Sequence, residues 1–285
     1  MLRLASGALA LLALAVPARA ACPDRAEVAR FAAALIERRS PPPYQGLSVE
    51  DARCAQERLV ALLAQPWGDA VGYKLGLTNP EVQRRFGLSE PVRGTIFFGT
   101  LRAPSGSEIE ARFGAVPAVE ADLLVRIGRD GVEAAGEDHV AILRHLDQVI
   151  PFLELPDLVF PPDRPPDLPN ILAANVGARL GVVGAPVPVE PTAEFAARLG
   201  AMRVTLSEGE RELASAPGTA ILGHPLNAVA WLARDLAREG RRLRAGEYVS
   251  LGSFSPPVPA EAGKTYTVRY EGLGPGPVEV SVRLR

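Results

Sequence analysis

Two carboxylates, Glu120 and Asp122, interrupt the otherwise apolar run "VPAVEADLLVRI" (Val116–Ile127). Read as a β-strand, successive side chains point to opposite faces, so Val119, Ala121, Leu123, Val125 and Ile127 share a wholly apolar one. Glu120 and Asp122 share the other with Leu124 and Arg126. That face is solvated, or neutralised by an ion pair with Arg126, or turned toward a cation. A third carboxylate, Glu154, sits in "VIPFLELPDLVF", a segment too apolar to leave it freely in water. A buried lone carboxylate is paired, protonated or bound to a metal. Three meeting at one point suit a hard divalent cation such as Mg²⁺ or Mn²⁺.

Lys74 is the second chemical candidate. The chain has 31 basic residues, and Lys74 and Lys264 are its lysines. Lysine can shift its pKa and move a proton, whereas arginine stays charged. Lys264, in the turn "EAGKTY", carries no such signal. His139, His145 and His224 share no motif. The sequence has no Gly-x-Ser-x-Gly elbow, Walker loop or dinucleotide fingerprint, so a serine nucleophile is not expected. Zinc hydrolysis is not expected either, because Cys22 and Cys54 have no Cys or His neighbour at ligand spacing.

The elements that must position these groups follow from composition and periodicity. The 285 residues are 47% hydrophobic with a net charge of −2, which suits one large or two modest globular domains and shows no basic footprint for nucleic acid. Residues 1–20, "MLRLASGALALLALAVPARA", read as a signal peptide: Arg3, an apolar stretch Leu4–Val16, and Ala18-Arg19-Ala20 as cleavage site. A membrane anchor is the other reading, although the stretch is short for a bilayer. The expected destination is periplasmic or secreted, with no membrane partner after cleavage. In an oxidising compartment Cys22 and Cys54 form one disulfide by default, two buried thiols being the alternative.

That bridge would staple a helix at Asp24–Arg38, with Val28, Phe31, Ala32, Leu35 and Ile36 inward, to a second opened by Ser48 and carrying Ala55, Leu59 and Leu62. Asn79 caps a small helix. Gly94–Phe98, the acidic run and Pro151–Leu155 read as strands, and Glu137–Val149 as a helix with Ile142, Leu143, Leu146 and Val149 inward. A helix follows His224, then "GEYVSLGSF" and the hairpin "KTYTVRYEGLGPGPVEVSVRL". The pattern is α+β, with most of the sheet after residue 90.

Five ordered segments carry a resemblance: "GYKLGLTNPEVQRRFGLSEPVRGTIF", "VEADLLVRI", "PFLELPD", "NILAANVGARLGVVG", and the stretch from "GHPLNAVAW" through "GKTYTVRYEGLG". Together they resemble the 2-keto-4-pentenoate hydratase and 4-oxalocrotonate decarboxylase branch of the fumarylacetoacetate hydrolase superfamily. The resemblance runs from about Ser48 to the C-terminus. It implies a mixed β-roll behind a small N-terminal helical region; after the leader at 1–20, the helical region is expected at 21–70 and the catalytic domain at 71–285. It implies a divalent cation, Mg²⁺ or Mn²⁺, on Glu120, Asp122 and Glu154, with Lys74 as the catalytic lysine; within reach of that cation and lined by Tyr73, Leu75 and Leu77, its ammonium is expected to be nearer neutrality than at a surface. It further implies substrate contacts from Thr78, Asn175 and Ser253.

The chemistry implied is addition of water to a short 2-hydroxy-dienoate, giving a 4-hydroxy-2-keto acid, with the small 2-keto acid as partner in a homo-oligomer. A 2-keto acid decarboxylase and a non-catalytic keto-acid binding protein are the alternatives. Asp122 stands where the family carries Glu, and Ala174 where it carries an acid. The segment Phe98-Gly99-Thr100 lacks a further acidic residue.

Overall fold

The computed structural model describes residues 22–285 apart from Phe86 and Arg102; the expected signal peptide lies outside them. Two side-chain caps set the N-terminal helices. Asp24 Oδ1 accepts from Glu27 N at 2.7 Å to open α1 (Arg25–Ile36), and Ser48 Oγ accepts from Asp51 N at 3.1 Å to open α2 (Val49–Trp67). A Cys22–Cys54 disulfide ties the pair together. Val28, Phe31, Leu35, Ala55, Leu59 and Leu63 form one apolar cluster with Val92, Phe97 and Leu172. Two positions differ from expectation: Ile36 is 44% and Leu62 42% exposed. The row Ala55–Leu59–Leu63, spaced four apart, meets the protein, and Leu62 falls off its edge.

The chain continues through β1 (Ala70–Gly76), α3 (Pro80–Arg85), β2 (Val92–Phe97), β3 (Ala103–Pro104), β4 (Ser107–Ile109) and β5 (Ala118–Ile127). Next come α4 (His139–Leu143), β6 (Leu146–Leu155), α5 (Leu168–Ala173), β7 (Leu180–Val183), β8 (Val187–Pro188) and α6 (Ala193–Ala201). The last part holds β9 (Arg203–Glu208), β10 (Arg211–Pro217), α7 (Pro225–Arg238), β11 (Tyr248–Ser250), β12 (Val258–Pro259), β13 (Thr265–Glu271) and β14 (Val278–Leu284). Among the described residues the strands make two mixed sheets. One runs β2-β1-β11-β5-β6-β7-β3, with β12 and β8 attached to β5 and β6; the other runs β10-β9-β13-β14-β4. Their facing sides and α7 enclose the main core. This is the α+β roll with a small helical region.

The segment Glu137–Val149 is not one helix. Asp138 caps a short α4, the chain turns at Arg144–His145, and β6 begins at Leu146. Ile142, Leu143, Leu146 and Val149 are all buried, so the apolar positions were read correctly and their period was not. The reason is long-range: β5 offers an antiparallel partner over its whole length, and pairing with it outcompetes a longer helix.

Strand β5 is buried along one face and over the middle of the other. Val119, Ala121, Leu123, Val125 and Ile127 enter the main core, while Asp122 and Leu124 on the opposite face are both 0% exposed. Asp122 is therefore shut off from solvent, while Glu120 and Arg126 on the same face are half-buried. Arg126 pairs with Asp147 at 2.5 Å, leaving the two acids to another partner.

Candidate active site

Strand register brings the candidates together. Glu120 on β5 lies directly opposite Glu154 on β6, and Asp122 opposite Phe152. Lys74 on β1 is level with Ser250 on β11, which is level with Leu124 on β5. Paired residues share a sheet face, so Lys74, Ser250, Glu120, Asp122 and Glu154 all project from the same side. Lys74 Nζ lies 2.6 Å from Glu154 Oε1, both groups nearly fully buried. They line a narrow pocket walled by Ser250 and the apolar Ile96, Leu101 and Phe152.

Asp122 is held on both oxygens. Ser250 Oγ donates to Oδ2 at 2.7 Å, while Oδ1 accepts from Leu123 N at 2.5 Å and Gly252 N at 3.2 Å. Gly252 can do this because its φ is +111° and because a Cβ there would sit 2.1 Å from Thr78 Oγ1. Only glycine meets both conditions.

The electrostatics are lopsided, with three carboxylates facing one lysine. Burial pushes Glu120 up to about 8, Glu154 adds to the rise and Lys74 opposes it. Burial likewise pushes Asp122 up to about 7, helped by Glu154 and opposed by the Ser250 hydrogen bond and Lys74. For Lys74, burial pulls the ammonium down. Glu154, Glu120 and Asp122 outweigh it, so the pKa lies above the ordinary lysine value. The expectation of a near-neutral Lys74 rested on burial and a nearby cation; the three carboxylates around the group act in the opposite sense to both.

Among the described residues no three His, Cys, Asp or Glu side chains stand around a common point as a finished metal site. Glu154 is engaged by Lys74, and Asp122 by its hydrogen bonds. The donor set nevertheless fits a hard divalent cation: it consists of carboxylate oxygens, and it holds more buried negative charge than one lysine neutralises.

The other expected residues are placed differently. Asn175, 1% exposed, spends its amide on the β2 backbone: Oδ1 accepts from Thr95 N at 2.7 Å and Nδ2 donates to Thr95 O at 2.9 Å. Ser253 Oγ donates to Ala121 O at 3.0 Å or Ser255 O at 2.8 Å. Thr78 is buried behind Gly252. None of these three lines the pocket that holds Lys74 and Glu154.

Two contributors carried no readable signal. Ser250 orients Asp122. Tyr270, on the other sheet, inserts its hydroxyl between β5 and β6: it accepts from Phe152 N at 3.0 Å and donates to Asp122 O or to Phe152 O. That hydroxyl sits at the strand pair carrying all three acids. Only the packing of one sheet on the other brings it there.

A solved 4-oxalocrotonate decarboxylase from Pseudomonas putida G7, complexed with magnesium and adipate, superposes with a TM-score of 0.79 at 24% identity, over 92% of this chain and 97% of that one. A fumarylacetoacetate hydrolase family protein from Yersinia pestis gives 0.52 over 75% of this chain. The fold is thus that of the fumarylacetoacetate hydrolase superfamily. A 2-keto-4-pentenoate hydratase of Paraburkholderia xenovorans is 30% identical over 239 residues, 81% of this chain and 83% of that protein. A 2-oxo-hept-4-ene-1,7-dioate hydratase of Escherichia coli is 30% identical over 240 residues, 81% and 86% of the two chains. No family model matches. The chain belongs to the 2-keto-4-pentenoate hydratase branch of that superfamily.

Proposed function

We propose that this protein is a divalent-metal-dependent hydratase that adds water to a short 2-hydroxy-dienoate, in the manner of 2-keto-4-pentenoate, to give a 4-hydroxy-2-keto acid. The observation that carries this reading is the Lys74–Glu154 contact in the pocket, with Glu120 opposite Glu154 in strand register and Asp122 on the same sheet face. Glu120, Asp122 and Glu154 would hold the cation, Mg²⁺ or Mn²⁺. When bound, it supplies Lewis-acid stabilisation of the enolate of a 2-keto acid.

This chain's own residues supply the rest. Lys74 Nζ, kept protonated by its carboxylate neighbours, can donate to a substrate carboxylate and can deliver a proton as a diene ketonises. Ser250 Oγ fixes the Asp122 carboxylate, and Ile96, Leu101 and Phe152 limit bulk water around the reacting chain. The test is to mix the protein with Mg²⁺ and 2-hydroxypenta-2,4-dienoate and follow the dienol absorbance. Decay that depends on metal and on Lys74 supports the reading; binding without turnover overturns it in favour of a non-catalytic keto-acid binder.

A second reading is supported by the decarboxylase likeness over 92% of the chain. In that case the same site releases carbon dioxide from a 2-keto acid, and gas evolution distinguishes it. Export to the periplasm or exterior is part of the proposal, supported by the composition of residues 1–20 and by the Cys22–Cys54 bridge. Among the described residues no helix is long and apolar enough to cross a membrane. Fractionation showing unprocessed cytosolic protein would defeat this part. The proposed homo-oligomer is tested by light scattering.

A further inference from the structure

Glu120 and Glu154 stand directly opposite one another on β5 and β6, and like charges so placed push a strand pair apart. Two residues away, roughly 7 Å along the strands, lies the register pair Asp122 and Phe152. There the Tyr270 hydroxyl accepts the Phe152 N–H at 3.0 Å and donates its proton to the Asp122 or the Phe152 carbonyl. One hydroxyl thus touches both strands that carry the acids. Its hold on Asp122 is on the main chain, and the carboxylate of that residue is held separately by Ser250, Leu123 N and Gly252 N.

Tyr270 is itself firmly anchored. Strand β13 is the middle strand of its sheet, with Tyr270 level with Val204 on β9 and Val278 on β14. The side chain is fully buried, so the hydroxyl stays at β5 and β6 for as long as the two sheets stay packed. It does not line the pocket and acts there only through the backbone of Asp122 and Phe152. Tyr266, four residues earlier on the same face of β13, is equally buried. Its hydroxyl donates to Pro259 O at 3.0 Å and accepts from Glu261 N at 3.3 Å, a segment that carries none of the three acids.

We infer that Tyr270 is a positioning residue for the cation: its hydroxyl bridges β5 to β6 and sets the separation at which Glu120, Asp122 and Glu154 receive a divalent metal. The inference rests on the metal-binding part of the proposed function. Two variants test it, each keeping the ring and removing one buried hydroxyl. Tyr270→Phe breaks the bridge, and Tyr266→Phe is the matched control on the same strand.

Both variants should lower the urea midpoint. In calorimetry with Mg²⁺ alone, Tyr270→Phe should raise Kd about 10-fold or more, the scale on which a lost partner behind a metal ligand is felt. Tyr266→Phe should keep the parental Kd. In the dienoate assay the Mg²⁺ concentration for half-maximal turnover should rise by the same factor in Tyr270→Phe alone. A parental Kd in Tyr270→Phe, or an equal rise in both variants, overturns the inference and leaves the metal-dependent reading standing. A parent that binds no Mg²⁺ overturns both. If Tyr270→Phe does not fold, amide exchange in the parent decides. Coupling between sites is reciprocal, so Mg²⁺ should slow exchange of the Phe152 amide and leave the Glu261 amide as it was. Equal protection of the two amides, or none, overturns the inference.

Discussion

Two buried charge clusters flank β1 and β2, and they are built on opposite principles. At one, Arg93 meets Asp235 at 2.6 Å and Glu239 at 2.5 Å, and Arg53 meets Glu239 at 3.1 Å and Asp235 at 3.7 Å. Every carboxylate there faces more than one arginine, and the cluster ties α2, β2 and α7 together. At the other, Glu120, Asp122 and Glu154 share Lys74. The first cluster is satisfied by protein alone and has no chemistry left to offer. The second is short of positive charge, and burial raises the cost of that shortage. Depth does not distinguish a structural ion network from a functional site here; charge balance does.

The largest expected effect breaks the balanced cluster. Asp235→Ala should cost about 3–5 kcal/mol in urea unfolding, because it leaves Arg93 buried with half its partners. It should leave Mg²⁺ binding intact. Glu120→Ala should do the opposite, abolishing calorimetric Mg²⁺ binding while the melt changes little, since it removes a repulsion. If both variants lose stability and neither changes metal binding, the contrast between the clusters is wrong.

The disulfide sits on the balanced side, next to Arg53. By loop-closure entropy, reducing Cys22–Cys54 should cost about 3–4 kcal/mol, visible as a lower denaturation midpoint. The dienoate assay, run in reductant below that midpoint, should be unaffected. A loss of turnover would mean that the helical region also shapes the pocket.

Lys74→Arg sharpens the other side. It keeps the charge that the carboxylates demand but cannot release a proton at working pH, so turnover should fall about 10²-fold while a keto-acid inhibitor still binds. Parental turnover would reduce Lys74 to an anchor and reassign proton transfer.

The smallest effect lies at the N-terminus of α7, the helix whose far end carries Asp235. His224 caps it: Nδ1 accepts from Leu226 N at 3.1 Å, Nε2 reaches Ala196 O at 2.9 Å, and its ring stacks on His139. Burial foremost, and His139 in addition, hold its pKa below 6.5 against the pull of the Ala196 carbonyl. A depressed folded value means that the unfolded chain binds the proton more readily. The contribution is full above pH 6.5 and declines as pH falls toward the folded value, by at most about 1.4 kcal/mol per unit. His224→Asn, which retains a cap, should flatten the stability difference between pH 7.5 and 5.5. An unchanged difference would clear His224 of any role.

Much of the site was legible because it is written locally. The alternation of "VPAVEADLLVRI" put both acids on one face, the apolar setting of Glu154 and Lys74 marked them as buried, and Asp24 and Ser48 announced their helices. What failed was a reading that needed the partner strand. Glu137–Val149 kept its buried positions but lost its helix to β5.

The sequence by itself determined which groups can do chemistry here, since residue type and burial pattern are properties of short segments. Register decided that Lys74 pairs with Glu154, and that Arg126 goes to Asp147. Sheet-on-sheet packing decided that Tyr270 reaches the carbonyl of Asp122, and the turn between α5 and β7 decided that Asn175 is spent on Thr95. The physical reason is that a buried charge takes its properties from whatever the chain brings within a few ångströms, and those neighbours lie tens to hundreds of residues away.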